Sequence, residues 1–153
     1  MRDNTRLKRP TRLTYICLGL AAFMLPNAGF AQTPISTSVH ISGSCKQCDL
    51  SNRSMPRISL QGSDFSGSDF SNSNLSGGKF HSSNLSNTIF HKAYLLGVNG
   101  MGVNLSNANL RDATLTNARL QNSDISNADL KRADLTNGYF KGSNFSHSSL
   151  KSV

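Results

Sequence analysis

Cys45-Lys46-Gln47-Cys48 is the arrangement in this chain best suited to chemistry, with two thiols held three residues apart. Such a pair can close a disulfide, bind a metal or exchange electrons. Asp49 stands where a haem-attachment motif needs histidine, which excludes covalent haem. A zinc site needs four ligands, and beyond the two thiols only His40 is near in sequence. A thioredoxin-like role would require a βαβ setting that nothing around the pair suggests. A structural disulfide between Cys45 and Cys48 is the expectation, with zinc and redox roles as its alternatives. Past the N-terminal region the histidines are His40, His81, His91 and His147, and no Gly-x-Ser-x-Gly elbow accompanies them. Gly78-Lys79 precedes Phe80 and lacks the glycine spacing of a phosphate loop. No catalytic residue, metal or cofactor is expected, and the chain does not read as an enzyme.

The compartment bears on the thiols. Arg2, Arg6, Lys8, Arg9 and Arg12 form a basic head, Leu13 to Ala28 is an apolar run interrupted by Pro26, and Gly29-Phe30-Ala31 offers small residues where a signal peptidase reads. Residues 1–31 are therefore expected to be a signal peptide, with Gln32 as the mature N-terminus. The run is shorter than the roughly 20 residues of a membrane span, so no transmembrane segment is expected after cleavage. The product would be periplasmic or secreted. Cleavage removes Cys17 and leaves Cys45 and Cys48 in an oxidising compartment, which favours their pairing. It also removes five of 16 basic and one of 8 acidic residues, leaving eleven against seven. So mild an excess says little about nucleic acid.

What positions these groups is a period of five. From Leu60 to Leu150, nineteen positions spaced by five hold Leu, Ile or Phe in eighteen cases, Gly100 being the exception. Two residues ahead of each stands a small residue in sixteen of the nineteen repeats, such as Ser63, Ala108 or Ala128. In an α-helix a step of five rotates by about 140° and smears the apolar set around the axis. In a strand an odd step alternates faces. A chain that turns a corner every five residues, at its Asn and Gly positions, sends every large side chain to one axis. Residues 32–47 read as linker and N-terminal cap, and 48–153 as the solenoid. Two breaks are expected: a bulge or distorted coil at Arg53-Ser54-Met55-Pro56-Arg57, and a disturbance at Leu95–Val103, where Val98 and Val103 could refill the space left by Gly100.

Sampled every twenty residues, outward positions fall into columns. One reads Ser66, Ser86, Ser106, Ser126, Ser146; another reads Ser71, His91, Arg111, Lys131, Lys151. This favours four sides. Two surface features follow. His91, Lys92, Arg111, Lys131, Arg132 and Lys151 would stack into a basic edge, a candidate anion-binding site for acidic polysaccharide, phospholipid or nucleic acid, with Asp112 interrupting it. Ile89, Tyr94, Leu96 and Met101 would form an outward apolar patch, either a partner site or the filling of a looped coil.

The repeats Ala108-Asn109-Leu110-Arg111-Asp112, Ala113-Thr114-Leu115-Thr116-Asn117 and Ala128-Asp129-Leu130-Lys131-Arg132 resemble the pentapeptide-repeat family over residues 48 to 152. The resemblance implies an all-β fold, a right-handed quadrilateral β-helix of about five coils, with the large residue and the small one both pointing inward. Some members resemble DNA in shape and negative charge; export and a basic mature chain argue against DNA mimicry here. The functional expectation is a non-enzymatic exported scaffold of the cell envelope with an unidentified protein partner, the anion-binding module being the alternative. An uncapped solenoid end leaves its backbone unpaired, so the coil carrying Leu135, Phe140, Phe145 and Leu150 is a candidate for an end-to-end homodimer, the alternative being that Lys141 and Lys151 keep this end monomeric by charge repulsion.

Overall fold

The computed structural model describes residues 43–153, so the expected signal peptide over 1–31, the expected cleavage site and residues 32–42 lie outside the described residues. Asp49 pairs in parallel with Asp69, Ser54 with Asn74, Ser59 with Lys79 and Asp64 with Asn84, and the same step of twenty continues to Asp129 with Ser149. One residue in five pairs this way, so a single bridge holds each rung of a side and the chain returns upon itself after four sides. The first side carries Cys45, Phe65, Leu85, Leu105, Ile125 and Phe145 inward, and the second Leu50, Phe70, Phe90, Leu110, Leu130 and Leu150. Met55, Leu75, Leu95, Leu115 and Leu135 belong to the third, and Leu60, Phe80, Gly100, Leu120 and Phe140 to the fourth. The same register already holds at Cys45, whose N–H donates to Asp64 O at 2.8 Å, so coiling starts within the segment read as a cap.

At most corners the small residue's N–H reaches back to the preceding large residue's carbonyl, as from Ser63 to Leu60 or Ala113 to Leu110, both at 3.1 Å, whereas Cys48, Val103, Ser123 and Ala128 donate instead to a serine hydroxyl one coil on. The residue before that small one is left-handed at every corner from Gln47 to Ser152, with φ between 53° and 74°. Asn and Gly dominate there because they enter this region most easily. Arg57, Lys92 and Arg132 occupy it with φ of 60°, 56° and 57°, each at a cost of about 1–2 kcal/mol. Between coils, Leu60 N donates to Lys79 O and Lys79 N to Ile58 O, both at 2.8 Å. This pattern consumes main-chain groups whatever the side chains are.

For that reason the two expected breaks do not distort the coil. Met55 N bonds Asn74 O at 2.7 Å, Arg57 N bonds Ser76 O at 2.8 Å, and Asn74 N bonds Arg53 O at 2.8 Å, so residues 53–57 keep the repeat without a bulge. Arg53 holds a small-residue position but its side chain is exposed, while Met55 packs partly on the core. Around Gly100 there is likewise no loop: Gly100 N donates to Arg119 O at 2.8 Å and Gly102 N to Gln121 O at 3.0 Å. Val98 and Val103 are buried as expected. A Cβ at Gly100 would lie 2.5 Å from Val103 Cγ2, so the valine occupies the room a large residue would need.

The core is an unbroken column. Leu60, Phe65, Phe70, Leu75, Leu85 and Phe90 are wholly buried, and Phe70 stacks on Phe90 with centroids 5.1 Å apart. The small inward positions carry hydroxyls that find partners: Ser73, Ser83 and Thr88 each donate to the large residue three places earlier, at 2.6 Å. Burial thins toward the last coil, where Leu135, Phe140 and Phe145 are partly covered and Leu150 is exposed.

Candidate functional site

The corner after the second side gathers the predicted basic edge. Its columns read Ser51, Ser71, His91, Arg111, Lys131, Lys151 and Asn52, Asn72, Lys92, Asp112, Arg132, Ser152. The six predicted residues are thus brought together, and two aspartates are shared among four of them. Arg132 grips Asp112 with two nitrogens, Nε to Oδ1 at 2.6 Å and Nη2 to Oδ2 at 2.7 Å. His91 Nδ1 lies 3.6 Å from the same carboxylate. Asp129, which precedes Leu130 on the second side, takes Arg111 at 3.3 Å and Lys131 at 3.6 Å. The Arg132 hydrogen bonds hold the Asp112 carboxyl below its usual range, and Asp112 in turn raises Arg132. Lys92 and Lys151 make no ion pair among the described residues.

The apolar residues occupy one coil but not one plane. Ile89 is on the second side, Tyr94 and Leu96 on the third, and Met101 on the fourth. All four are exposed, Tyr94 most at 56%. Tyr94 also lines a groove with Asn52, Arg53, Ser54, Asn72, Asn74 and Ser76.

Cys45 and Cys48 are joined, with Cα atoms 5.7 Å apart, and both are buried. Ser68 of the next coil clamps the loop they close: its hydroxyl donates to Cys45 O at 2.7 Å and accepts from Cys48 N at 3.1 Å. The pair is thereby built into the first side. Among the described residues no three His, Cys, Asp or Glu side chains gather where they could hold a metal.

Acidic residues ahead of large ones do structural work as turn acceptors. Asp64 Oδ1 accepts from Ser66 N at 3.0 Å, and its other oxygen faces Lys46 Nζ at 3.0 Å. The Ser66 backbone bond, then its hydroxyl, then Lys46, bring the Asp64 pKa down to about 2. Asp124 and Asp134 are lowered by the same kind of bonds, from Ser126 and Thr136. A carboxyl with a depressed folded pKa stabilises above its unfolded value, and that contribution is lost as pH falls through the folded one. The denaturation midpoint should accordingly fall as pH drops from near 3.8 toward 2. Asp64→Asn should flatten part of that fall, because Asn84, Asn104 and Asn144 accept the equivalent bonds without titrating. A wild-type midpoint that stays constant through this window would contradict the assignment.

The fourth side was not singled out by the sequence columns above. Ahead of its large residues stand Ser59, Lys79, Asn99, Arg119 and Tyr139, bridged in succession from rung to rung. Behind them stand Gln61, His81, Met101, Gln121 and Lys141. Lys79, Arg119 and Lys141 are exposed, and this side contains no Asp or Glu. Arg119 and Tyr139 line an open groove with Asn117, Gln121 and Asn137. Sampling by twenty at the position before the large residue, rather than after it, reveals this column.

A family model described as a pentapeptide repeat region matches residues 76–145, and one described as pentapeptide repeats (8 copies) matches residues 44–81. No curated protein sequence matches the chain. Among solved structures, the pentapeptide repeat protein Rfr23 from the cyanobacterium Cyanothece is 30% identical, with 62% of each chain covered and a TM-score of 0.39. A pentapeptide repeat protein from the Arabidopsis thaliana thylakoid lumen is 32% identical over 59% of this chain and 66% of its own, with a TM-score of 0.35. HetL from the cyanobacterium Nostoc, involved in heterocyst differentiation regulation, is 20% identical over 71% of this chain and 70% of its own, with a TM-score of 0.38. This chain thus spans less than two thirds of Rfr23 and of the thylakoid protein. The two family models together run from residue 44 to residue 145, more than half of the 153 residues, and the chain belongs to the pentapeptide-repeat proteins.

Proposed function

We propose that the protein is an exported, non-enzymatic scaffold of the cell envelope that presents a rigid rod to a protein partner. A right-handed winding of about five coils and removal of residues 1–31 are part of this reading. The observation that carries it is the coil that gathers four outward apolar residues. Ile89 stands between Asp69 and Asn109 of its column, Tyr94 between Asn74 and Thr114, Leu96 between Ser76 and Thr116, and Met101 between His81 and Gln121. The register would accept a polar residue at each place, as it does one coil away. Exposed apolar side chains grouped in this way support a protein contact. Tyr94 and Leu96, which share the third side, would be its centre.

The test compares mature wild type with Tyr94→Ser/Leu96→Thr, each immobilised and exposed to envelope extract. The expected result is a protein retained by wild type and lost from the variant, with unchanged far-UV circular dichroism. Equal capture by both would overturn the reading. A second reading, anion binding at the edge of His91, Lys92, Arg111, Lys131, Arg132 and Lys151, is favoured by Lys92 and Lys151, whose charges Asp112 and Asp129 leave unpaired.

A further inference from the structure

The excess positive charge of the described chain is unevenly divided. Residues 43–153 contain eleven Lys and Arg against seven Asp, a surplus of four. The second side and its corner hold Lys92, Arg111, Lys131, Arg132 and Lys151, but also Asp49, Asp69, Asp112 and Asp129. On the first side Lys46 is met by Asp64, with Asp124 three coils above Asp64, and on the third Arg53 and Arg57 accompany Asp134. Three charges of the surplus, Lys79, Arg119 and Lys141, therefore lie on the fourth side, which has no acid to quench them. None of the three makes an ion pair among the described residues. The second side thus sets four acids beside its five cations, whereas the fourth sets none beside its three.

We propose that the fourth side is a binding surface for an acidic polysaccharide, with Lys79, Arg119 and Lys141 meeting its acid groups and Tyr139 its sugar rings. Rungs are about 4.8 Å apart, which puts Lys79 and Arg119, two rungs distant, roughly 10 Å apart. The positions between and beside them include neutral groups that donate and accept, Asn99, Gln121, Asn117 and Asn137, together with the apolar Met101. Cations this sparse, set among amides, suit a polymer rich in hydroxyls that bears acid on only some of its units. A nucleic-acid strand presents a phosphate about every 3.4 Å along a duplex and is bound by a dense run of cations, which this side lacks. Tyr139 is half-exposed at the groove beside Arg119, and its ring offers an apolar face with a polar tip, as a sugar ring requires. All these side chains project from a backbone fixed by its own rungs, so binding has to order side chains but not main chain.

The experiment is affinity electrophoresis of the mature protein at low salt through gels containing hyaluronate, a polysaccharide with one carboxylate per disaccharide, or neutral dextran. A parallel gel shift uses single-stranded DNA. Retardation by hyaluronate, absent in dextran, is expected for wild type. Lys79→Glu/Arg119→Glu/Lys141→Glu should weaken it by at least about tenfold, whereas Arg111→Glu/Lys131→Glu/Lys151→Glu should leave most of it. Should the first triple variant fail to fold, Lys79→Gln/Arg119→Gln, at two exposed positions, takes its place. Tyr139→Ser should weaken retardation without altering net charge. Loss through the corner variant alone would overturn the proposal in favour of the predicted edge, and preferential binding of DNA would overturn it in favour of nucleic acid. No retardation at all would also overturn it, while leaving the protein-partner reading to its own capture experiment.

Discussion

Replacing Phe70 by alanine is expected to cost about 3–5 kcal/mol, because a wholly buried ring leaves a cavity that its neighbours cannot fill. Phe70 stacks on Phe90 of the coil above at 5.1 Å and tilts against Phe65 of the adjoining side at 6.0 Å, so its loss removes contacts both along the axis and across it. A solenoid unit is stabilised mainly by its nearest neighbours, and Phe70 is one of the inward residues of the coil that follows the disulfide-bearing first one. The urea midpoint should drop, and the first coil should lose amide protection before the others. Phe145→Ala is the control: that ring is only partly covered, lies on the last coil and meets Phe140 edge-on at 5.6 Å, so its removal should cost distinctly less. Equal losses at the two sites would mean that burial is not graded along the rod.

Gly100→Leu restores the residue that the repeat favours and should nevertheless destabilise the protein. The added Cβ would meet Val103 Cγ2 at 2.5 Å, Leu120 Cδ2 at 3.1 Å and Phe80 Cβ at 3.2 Å, on a core already filled. Overpacking of this kind costs about 1–3 kcal/mol. Val103→Ala alone should also destabilise, by leaving a void. Together the two changes should recover most of the loss, since the leucine then occupies the space that the valine gave up. Equilibrium unfolding of the two single variants and the double variant checks this. Simple addition of the two costs would show that Val103 is not the substitute for the missing large residue.

The period of five was legible because it conflicts with both helix and strand, and the twenty-residue columns favoured four sides. The corner at every fifth residue followed from Asn and Gly. Arg57, Lys92 and Arg132 carry no such signal, and only the bonding of neighbouring rungs explains why they too turn left-handed. The same bonding explains why residues 53–57 and 95–103 stay regular: side-chain irregularity is not backbone irregularity when every rung is closed by main-chain groups. Charge pairing was the least legible feature. Asp129 neutralises Arg111 from eighteen residues away, a step that a twenty-residue column does not sample. Lys79, Arg119 and Tyr139 were equally hidden, because they sit before the large residue and the columns were drawn after it.

The register of twenty residues underlies the sides, the columns and both proposed surfaces, and one distance tests it. Spin labels at Ser66→Cys and Ser146→Cys, in a chain with Cys17→Ser, sit in one column four rungs apart. Pulsed dipolar spectroscopy should give a narrow distribution near 20 Å, four rungs of about 4.8 Å. A broad distribution centred around 50 Å, the span of a flexible chain of this length, would contradict the coil, and a narrow one well away from 20 Å would contradict its four sides.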